Sequence, residues 1–324
     1  MELIQKMLAG CDQSLARLIT LVERDTPEIP HIMSQIYPRL GKAYFVGVTG
    51  PPGGGKSTLV DRLTALMRAK GFSVGVVACD PTSPFSGGAV LGDRIRMQQH
   101  YLDKGVFIRS MASRGSRGGL PRAALGVIKL MDAFGKDFVL VETVGVGQTE
   151  LDIMEAADTT VVVLVPEAGD AIQTMKAGLL EIADILVVNK ADRQGAESLV
   201  VELDQMLRMN PRQTWWKVPV LTTQAVNNIG MEELYQEIER HRQVLEQTGR
   251  LSQRRQEQRK GEFIKTIEQS IRTRLLELVT KDGRLMASLE RVERGELDPY
   301  SASMEILNDK VLLQTWLCEL EEQD

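Results

Sequence analysis

Histidine and cysteine are scarce. Three of each stand in 324 residues, and Cys11, Cys79 and Cys318 are too far apart for a CxxC metal site or a disulfide framework. His31, His100 and His241 are just as dispersed, which excludes a histidine-rich metal store. Cations are not in excess: 39 Lys and Arg face 44 Asp and Glu, a net charge of −5, which argues against a protein that coats DNA or RNA. No apolar run approaches the ~20 residues that span a bilayer. The stretch Met1-Glu2-Leu3-Ile4-Gln5-Lys6 leads into no apolar leader core or small-residue cleavage site. These absences point to a cytoplasmic chain with neither nucleic acid nor membrane as partner. The remaining balance, 43% hydrophobic, 26% charged and only 5% aromatic, is that of an ordinary folded soluble protein.

Residues 1–40 read as helical, with Leu15, Leu18, Ile19 and Val22 recurring on one face. Pro27, Pro30 and Pro38 punctuate the connection that follows. Short β-branched runs then alternate with amphipathic stretches, the pattern of crossover units in a mostly parallel sheet. Strands are predicted over 44–49, 73–79, 138–142, 159–165, 185–189 and 218–221, several apolar on successive residues as in strands covered on both faces. Helices are predicted over 57–69, 122–134, 171–182 and 198–209. After about residue 245 the strand signals stop. The polar stretch 250–260 leads into Ile264, Ile267, Ile271, Leu275 and Leu278, a narrow seam at spacings of three and four. Such a seam packs on another helix, either by folding back on its own domain or across a dimer. The expected organisation is an N-terminal helical region at 1–40, an α/β domain at 41–245 and a C-terminal helical region at 246–324.

Gly50-Pro51-Pro52-Gly53-Gly54-Gly55-Lys56-Ser57 matches G-x-x-x-x-G-K-[ST] between a predicted strand and a predicted helix, the context that makes it a P-loop. Its glycines let successive N–H groups turn inward toward phosphate oxygens, and the helix start adds the positive end of its dipole. Lys56 is expected on the β- and γ-phosphates, Ser57 on Mg²⁺, and Thr58 beside it. Phosphoryl transfer also needs carboxylates for the metal. Asp80 and Glu142 close predicted strands at the sheet edge where ligands of open α/β sheets bind, and Asp93 lies in a glycine-rich segment between them. Lys56, Asp80, Asp93 and Glu142 are therefore the residues expected to carry hydrolysis.

Asn189-Lys190-Ala191-Asp192 follows an apolar strand and reads as the N-K-x-D loop that recognises guanine. Its aspartate accepts two protons that adenine does not offer, so a buried acid would be left unpaired by the wrong base. Thr222-Thr223-Gln224-Ala225 stands where a further base contact is expected, through Gln224 and Ala225, although Gln224 departs from the usual Ser-Ala. In Ras-like enzymes a glutamine orients the attacking water. Here Gly145 is followed by Val146, and the nearest glutamine is Gln148, so slow intrinsic hydrolysis completed by a partner is expected.

Taken together, GxTGPPGGGKST, DPTSP, GGAVLGDRIRM, ETVGVGQ and NKAD, in that order, resemble the MeaB/ArgK family of SIMIBI-class P-loop GTPases, whose human relative is the methylmalonic aciduria type A protein. The resemblance runs along the whole chain. It implies a GTP-dependent chaperone that gates adenosylcobalamin loading, from an adenosyltransferase, into a B12-dependent acyl-CoA mutase such as methylmalonyl-CoA mutase, and protects that mutase from inactivation. It further implies a homodimer joined through C-terminal helices, Mg²⁺ with GTP or GDP, and no tightly bound organic cofactor. The family's Mg²⁺ carboxylates map onto Asp80, Asp93 and Glu142. Its third switch maps onto 167–176, where Gln173 and Lys176 would couple nucleotide state to the partner, with Arg96 responding from the first switch. Read from the residues alone, Gly169-Asp170 is equally a helix cap, and the Arg- and Gly-rich stretch 113–119 is a solvated loop or a partner-binding one. Rival functions are a GTPase for metal insertion into another metalloenzyme, which would present the His or Cys clusters missing here, and a transport-linked ATPase or kinase, which N-K-x-D opposes.

Overall fold

The computed structural model describes residues 2–80, 97–112, 119–143, 154–166, 181–209, 215–281 and 283–309. Among them, seven strands form one sheet: β1 (Tyr44–Thr49), β2 (Val74–Asp80), β3 (Val106–Ala112), β4 (Phe138–Thr143), β5 (Thr159–Leu164), β6 (Ile185–Asn189) and β7 (Val220–Thr223). Their order is β3-β2-β4-β1-β5-β6-β7, and every pairing is parallel. The order reverses around β1, so the loop leaving β1 opens at the switch point where open α/β sheets bind ligands.

Successive side chains of β1 and β4 point to opposite faces. On one face Tyr44, Val46, Val48, Phe138 and Leu140 pack under α4 (Lys56–Ala69) and α7 (Met231–Gln247), against Leu59, Leu63, Leu234 and Ile238. On the other, Val77, Val139 and Val141 meet α5 (Gly119–Phe134) and the N-terminal helices α1 (Glu2–Leu8), α2 (Asp12–Glu23) and α3 (Ile29–Ile36). Leu15, Leu18, Ile19 and Val22 are buried in that second core, as their spacing predicts. Helix α6 (Ala196–Met209) covers the β5–β6 side through Leu199 and Leu203.

The predicted strand at 218–221 lies two residues further on, at Val220–Thr223. The edge strand β3 is absent from the sequence reading because Arg109 interrupts its apolar run. In the structure Arg109 Nε donates to Glu23 Oε1 of α2 at 2.7 Å, so an ion pair under a helix replaces the expected apolar residue. Predicted segment 171–182 lies outside the described residues except at its end.

The amino edge of the sheet is tied by buried charge. Asp158, just before β5, accepts from Arg255 Nε (2.9 Å) and Nη2 (2.6 Å) and from the Phe45 amide. Asp184, just before β6, accepts from both terminal nitrogens of Arg254 and from the Thr160 amide. Both arginines lie near the start of α8 (Arg250–Lys281). Between the pairs, Thr159 Oγ1 lies 2.6 Å from the Tyr44 hydroxyl and 2.8 Å from His241 Nδ1. Asp132 of α5 accepts the amides of Gly41, Lys42 and Ala43, fixing the entry to β1.

Met1–Arg255 and Gln256–Asp324 form two compact units. The first holds the N-terminal helices together with the sheet. In the second, α9 (Gly283–Glu293) and α10 (Pro299–Asn308) follow α8, and Asp298 caps α10 by accepting from the Ser301 amide. The α8 seam is exposed at Ile264, Ile267, Ile271 and Leu275, with Ile271 61% accessible; the side chain of Leu278 lies outside the described set. No helix among the described residues is long and apolar enough to cross a membrane.

Burial pushes His241 down to about 4, against the opposing pull of Asp184. Its folded value lies below its unfolded one, so the unfolded chain binds the extra proton and stability falls as pH drops from about 6.5 toward 4. Urea unfolding at pH 7 and pH 5 is expected to show about 2 kcal/mol of loss from this group. His241→Gln should flatten the profile by that amount; an unchanged slope would refute the assignment.

Candidate functional site

The turn out of β1 is built by close approach. Gly50 has φ +142, and a Cβ there would stand 2.0 Å from the Val163 carbonyl oxygen of β5. Gly55 has φ +83, and a Cβ there would meet Asn189 Nδ2 at 2.4 Å. Only glycine fits either position. Between them the chain curls so that α4 starts at Lys56, whose first-turn amides have no partner within the helix and suit an anion. The predicted P-loop thus stands as strand, loop and helix.

Lys56 is buried, and its Nζ donates to the Gly50 and Pro51 carbonyls at 2.9 and 3.0 Å. Its ammonium is therefore held at the mouth of the loop. Ser57 Oγ donates to Glu142 Oε1 at 2.6 Å, so the end of β4 meets the first turn of α4. Both side chains are buried. A hydroxyl and a carboxylate at this separation are hard oxygen donors of the kind Mg²⁺ takes, and the residues present fit that ion. Thr58 follows, half-buried.

Asn189, at the end of β6, joins the phosphate loop to the second loop. Its Nδ2 donates to the Gly54 carbonyl (2.9 Å), while its Oδ1 accepts from Thr223 Oγ1 (3.0 Å) and the Ala225 amide (3.2 Å). Lys190 takes the left-handed conformation with φ +56, which turns the chain so that the Ala191 amide reaches the Thr223 carbonyl. Asp192 beyond it is exposed. Gln224 is engaged within its own loop: its amide donates to the Ile229 carbonyl, and its Oε1 accepts from Asn227 Nδ2. Ala225 is buried beside Asn189.

The structure therefore brings together Gly50, Gly53, Gly54, Gly55, Lys56, Ser57, Glu142, Asn189 and Ala225. Asp80 closes β2, but its side chain is not among those described. Asp93, Arg96, Gln173 and Lys176 lie outside the described residues, as do 113–118, Val146 and Gln148. Sequence reading passed over Thr223, which orients Asn189, and the pair Thr49 and Thr143, whose hydroxyls lie 2.9 Å apart. The available signal was a threonine closing each of three apolar strands.

Comparison with known proteins adds the lineage. A relative from Pyrococcus abyssi, designated a GTPase, is 51% identical over 311 residues, covering 95% of this chain and 96% of its own. The methylmalonic aciduria type A homolog of Caenorhabditis elegans is 32% identical over 278 residues, covering 80% and 70%. The crystal structure of an LAO/AO transport system kinase superposes with a TM-score of 0.70 at 28% identity, covering 94% of this chain and 95% of that one. Residues 15–280 match the family described as methylmalonyl-CoA mutase-associated GTPase MeaB. With that match running through the sheet, the phosphate loop and the N-K-x-D loop, this chain belongs to the MeaB family of GTPases.

Proposed function

We propose that this GTPase acts as a nucleotide-gated chaperone for an adenosylcobalamin-dependent acyl-CoA mutase, with methylmalonyl-CoA mutase as the favoured client. In this reading it gates entry of the cofactor delivered by an adenosyltransferase and guards the mutase against inactivation. Its setting is the cytoplasm, without membrane or nucleic acid. The client in this reading is supported by the match to the family described as methylmalonyl-CoA mutase-associated GTPase, and the nucleotide gate by the Asn189 amide, which couples the loop expected to hold phosphates to the loop expected to hold the base.

In the proposed site the first-turn amides of α4 and the loop 50–55 hold the phosphates, and Lys56 moves from its carbonyl partners to the β- and γ-oxygens. Ser57, with Glu142, Asp80 and Asp93, would hold Mg²⁺, which when bound neutralises charge on the phosphates. Asp192 reads guanine, and the Ala225 amide and Gln224 loop border it. Val146 in place of a water-orienting glutamine leaves the isolated chain slow. Arg96, Gln173 and Lys176 pass the nucleotide state to the client, which accelerates turnover. The exposed α8 seam supports a homodimer in which two copies of the seam cover each other. A second reading, a transport-linked kinase, draws on the likeness to the LAO/AO transport system kinase.

Lys56→Ala is expected to weaken GTP binding about 30- to 100-fold, the loss of a charged hydrogen-bonding group. The variant should keep its circular dichroism spectrum, and ATP should fail to compete for the wild-type site; unchanged GTP affinity in the variant would sink the assignment. Single-turnover hydrolysis by the isolated chain should be far below ~10 s⁻¹, the scale of an activated Ras-type enzyme, and should rise on adding the mutase. Sedimentation should give a dimer for the wild type and a monomer for Ile267→Asp with Ile271→Asp. A monomeric wild type would rule the dimer out.

A further inference from the structure

One face of the β1–β4 pair is apolar until its last residues. Phe45, Val139 and Val141 belong to the core beneath the N-terminal helices, and a Cβ on Gly47 would strike Met154 of the same core. At the carboxyl end of that face stand two threonines. Thr49 is 1% exposed and Thr143 0%, and Thr143 Oγ1 donates to Thr49 Oγ1 at 2.9 Å. Each has further interactions. Burying two hydroxyls here costs stability relative to the valines that fit strands of this kind, unless the hydroxyls are hydrogen-bonded.

Their place in the chain gives the pair its meaning. Thr49 immediately precedes Gly50, the root of the phosphate loop, and Thr143 follows Glu142, whose carboxylate meets Ser57 at the loop's far end. Adjacent residues of a strand point to opposite faces. The end of β4 therefore grips the loop twice: Glu142 holds its exit on the α4 face, and Thr143 holds its root on the opposite face. The root has no slack on the β5 side, since Gly50 lies too close to the Val163 carbonyl for any Cβ.

We propose that Thr143 is a positioning residue for GTP hydrolysis. Its hydroxyl fixes the root of the phosphate loop against the strand end that presents Glu142. This rests on the reading that the loop at 50–58 holds the phosphates. On that reading, nucleotide affinity is drawn chiefly from Lys56 and the main-chain amides around it, further along the loop than the root that the threonine pair holds. The transition state demands in addition that Glu142 and Ser57 hold their mutual placement, and small misplacements are felt there first. Loss of the bond therefore slows hydrolysis and leaves binding intact.

The test uses the full chain with Thr143→Val, which keeps the shape and removes the bond, and Thr143→Ser, which keeps the hydroxyl. Affinities for fluorescent GDP and GTP analogues and single-turnover hydrolysis at saturating Mg²⁺ are measured alongside thermal unfolding. The valine variant is expected to hydrolyse GTP about five- to tenfold more slowly, the factor of one neutral hydrogen bond, with dissociation constants within about twofold of wild type. The serine variant should recover most of the rate. Wild-type turnover in Thr143→Val, or affinity and rate falling together without recovery by serine, would overturn the proposal. Should Thr143→Val fail to fold, Thr49→Val and Thr49→Ser break and keep the same bond from the other side, and the same outcomes decide. Failure of the underlying site shows itself separately, as GTP binding that survives Lys56→Ala.

Discussion

The approach of the Gly50 backbone to the Val163 carbonyl is the constraint on which the site depends. A parallel sheet brings neighbouring strands within about 4.8 Å, and a chain that must leave β1 and curl back over its end has to pass against β5. A side chain at residue 50 would occupy the space of the Val163 oxygen. With that space kept, α4 can begin at Lys56, its first-turn amides facing the centre of the loop as at any helix start, and Ser57 falls within reach of Glu142. Asn189 closes the construction from the far side, donating to Gly54 where a Cβ on Gly55 would displace it.

The two edges of the sheet are organised on different principles. Among the described residues, the carboxyl edge presents glycine turns and the start of α4, with Lys56 and Glu142 as its buried charges. At the amino edge the charges are already paired: Asp158 with Arg255 and Asp184 with Arg254, each carboxylate also taking a backbone amide. Buried pairs of this kind add little net stability over apolar packing, yet removing one partner strands a charge and costs about 3–5 kcal/mol. Their physical effect is to penalise every arrangement but one. The strands are thereby fixed from below while chemistry proceeds above.

Much of this was legible in the residues. The parallel sheet showed itself in apolar runs such as Ile185–Asn189, because strands covered on both faces need no alternation. The phosphate loop and the N-K-x-D turn were legible because both are local: their function depends on backbone conformations that only certain residues adopt, as Gly50 and Gly55 illustrate. Strand β3 was hidden because Arg109 is satisfied by Glu23, a residue 86 positions away, and no local pattern reports such a partner. The amino-edge network was equally invisible, since Asp158, Asp184 and the two arginines read singly as solvated charge. Threonines 49, 143 and 223 look like ordinary strand residues until the register places the first two hydroxyls beside one another and the third beside Asn189.

Arg254 and Arg255 are neighbours in a helix, so their side chains leave the axis about 100° apart. That divergence lets them reach the residues ahead of two adjacent strands, Asp184 before β6 and Asp158 before β5. Sliding the first turns of α8 by a single residue would leave one of the two carboxylates without its guanidinium, with Gln253 or Gln256 in its place. The seating of residues 250–255 on the sheet is therefore confined to one register, since each shifted one strands a buried carboxylate.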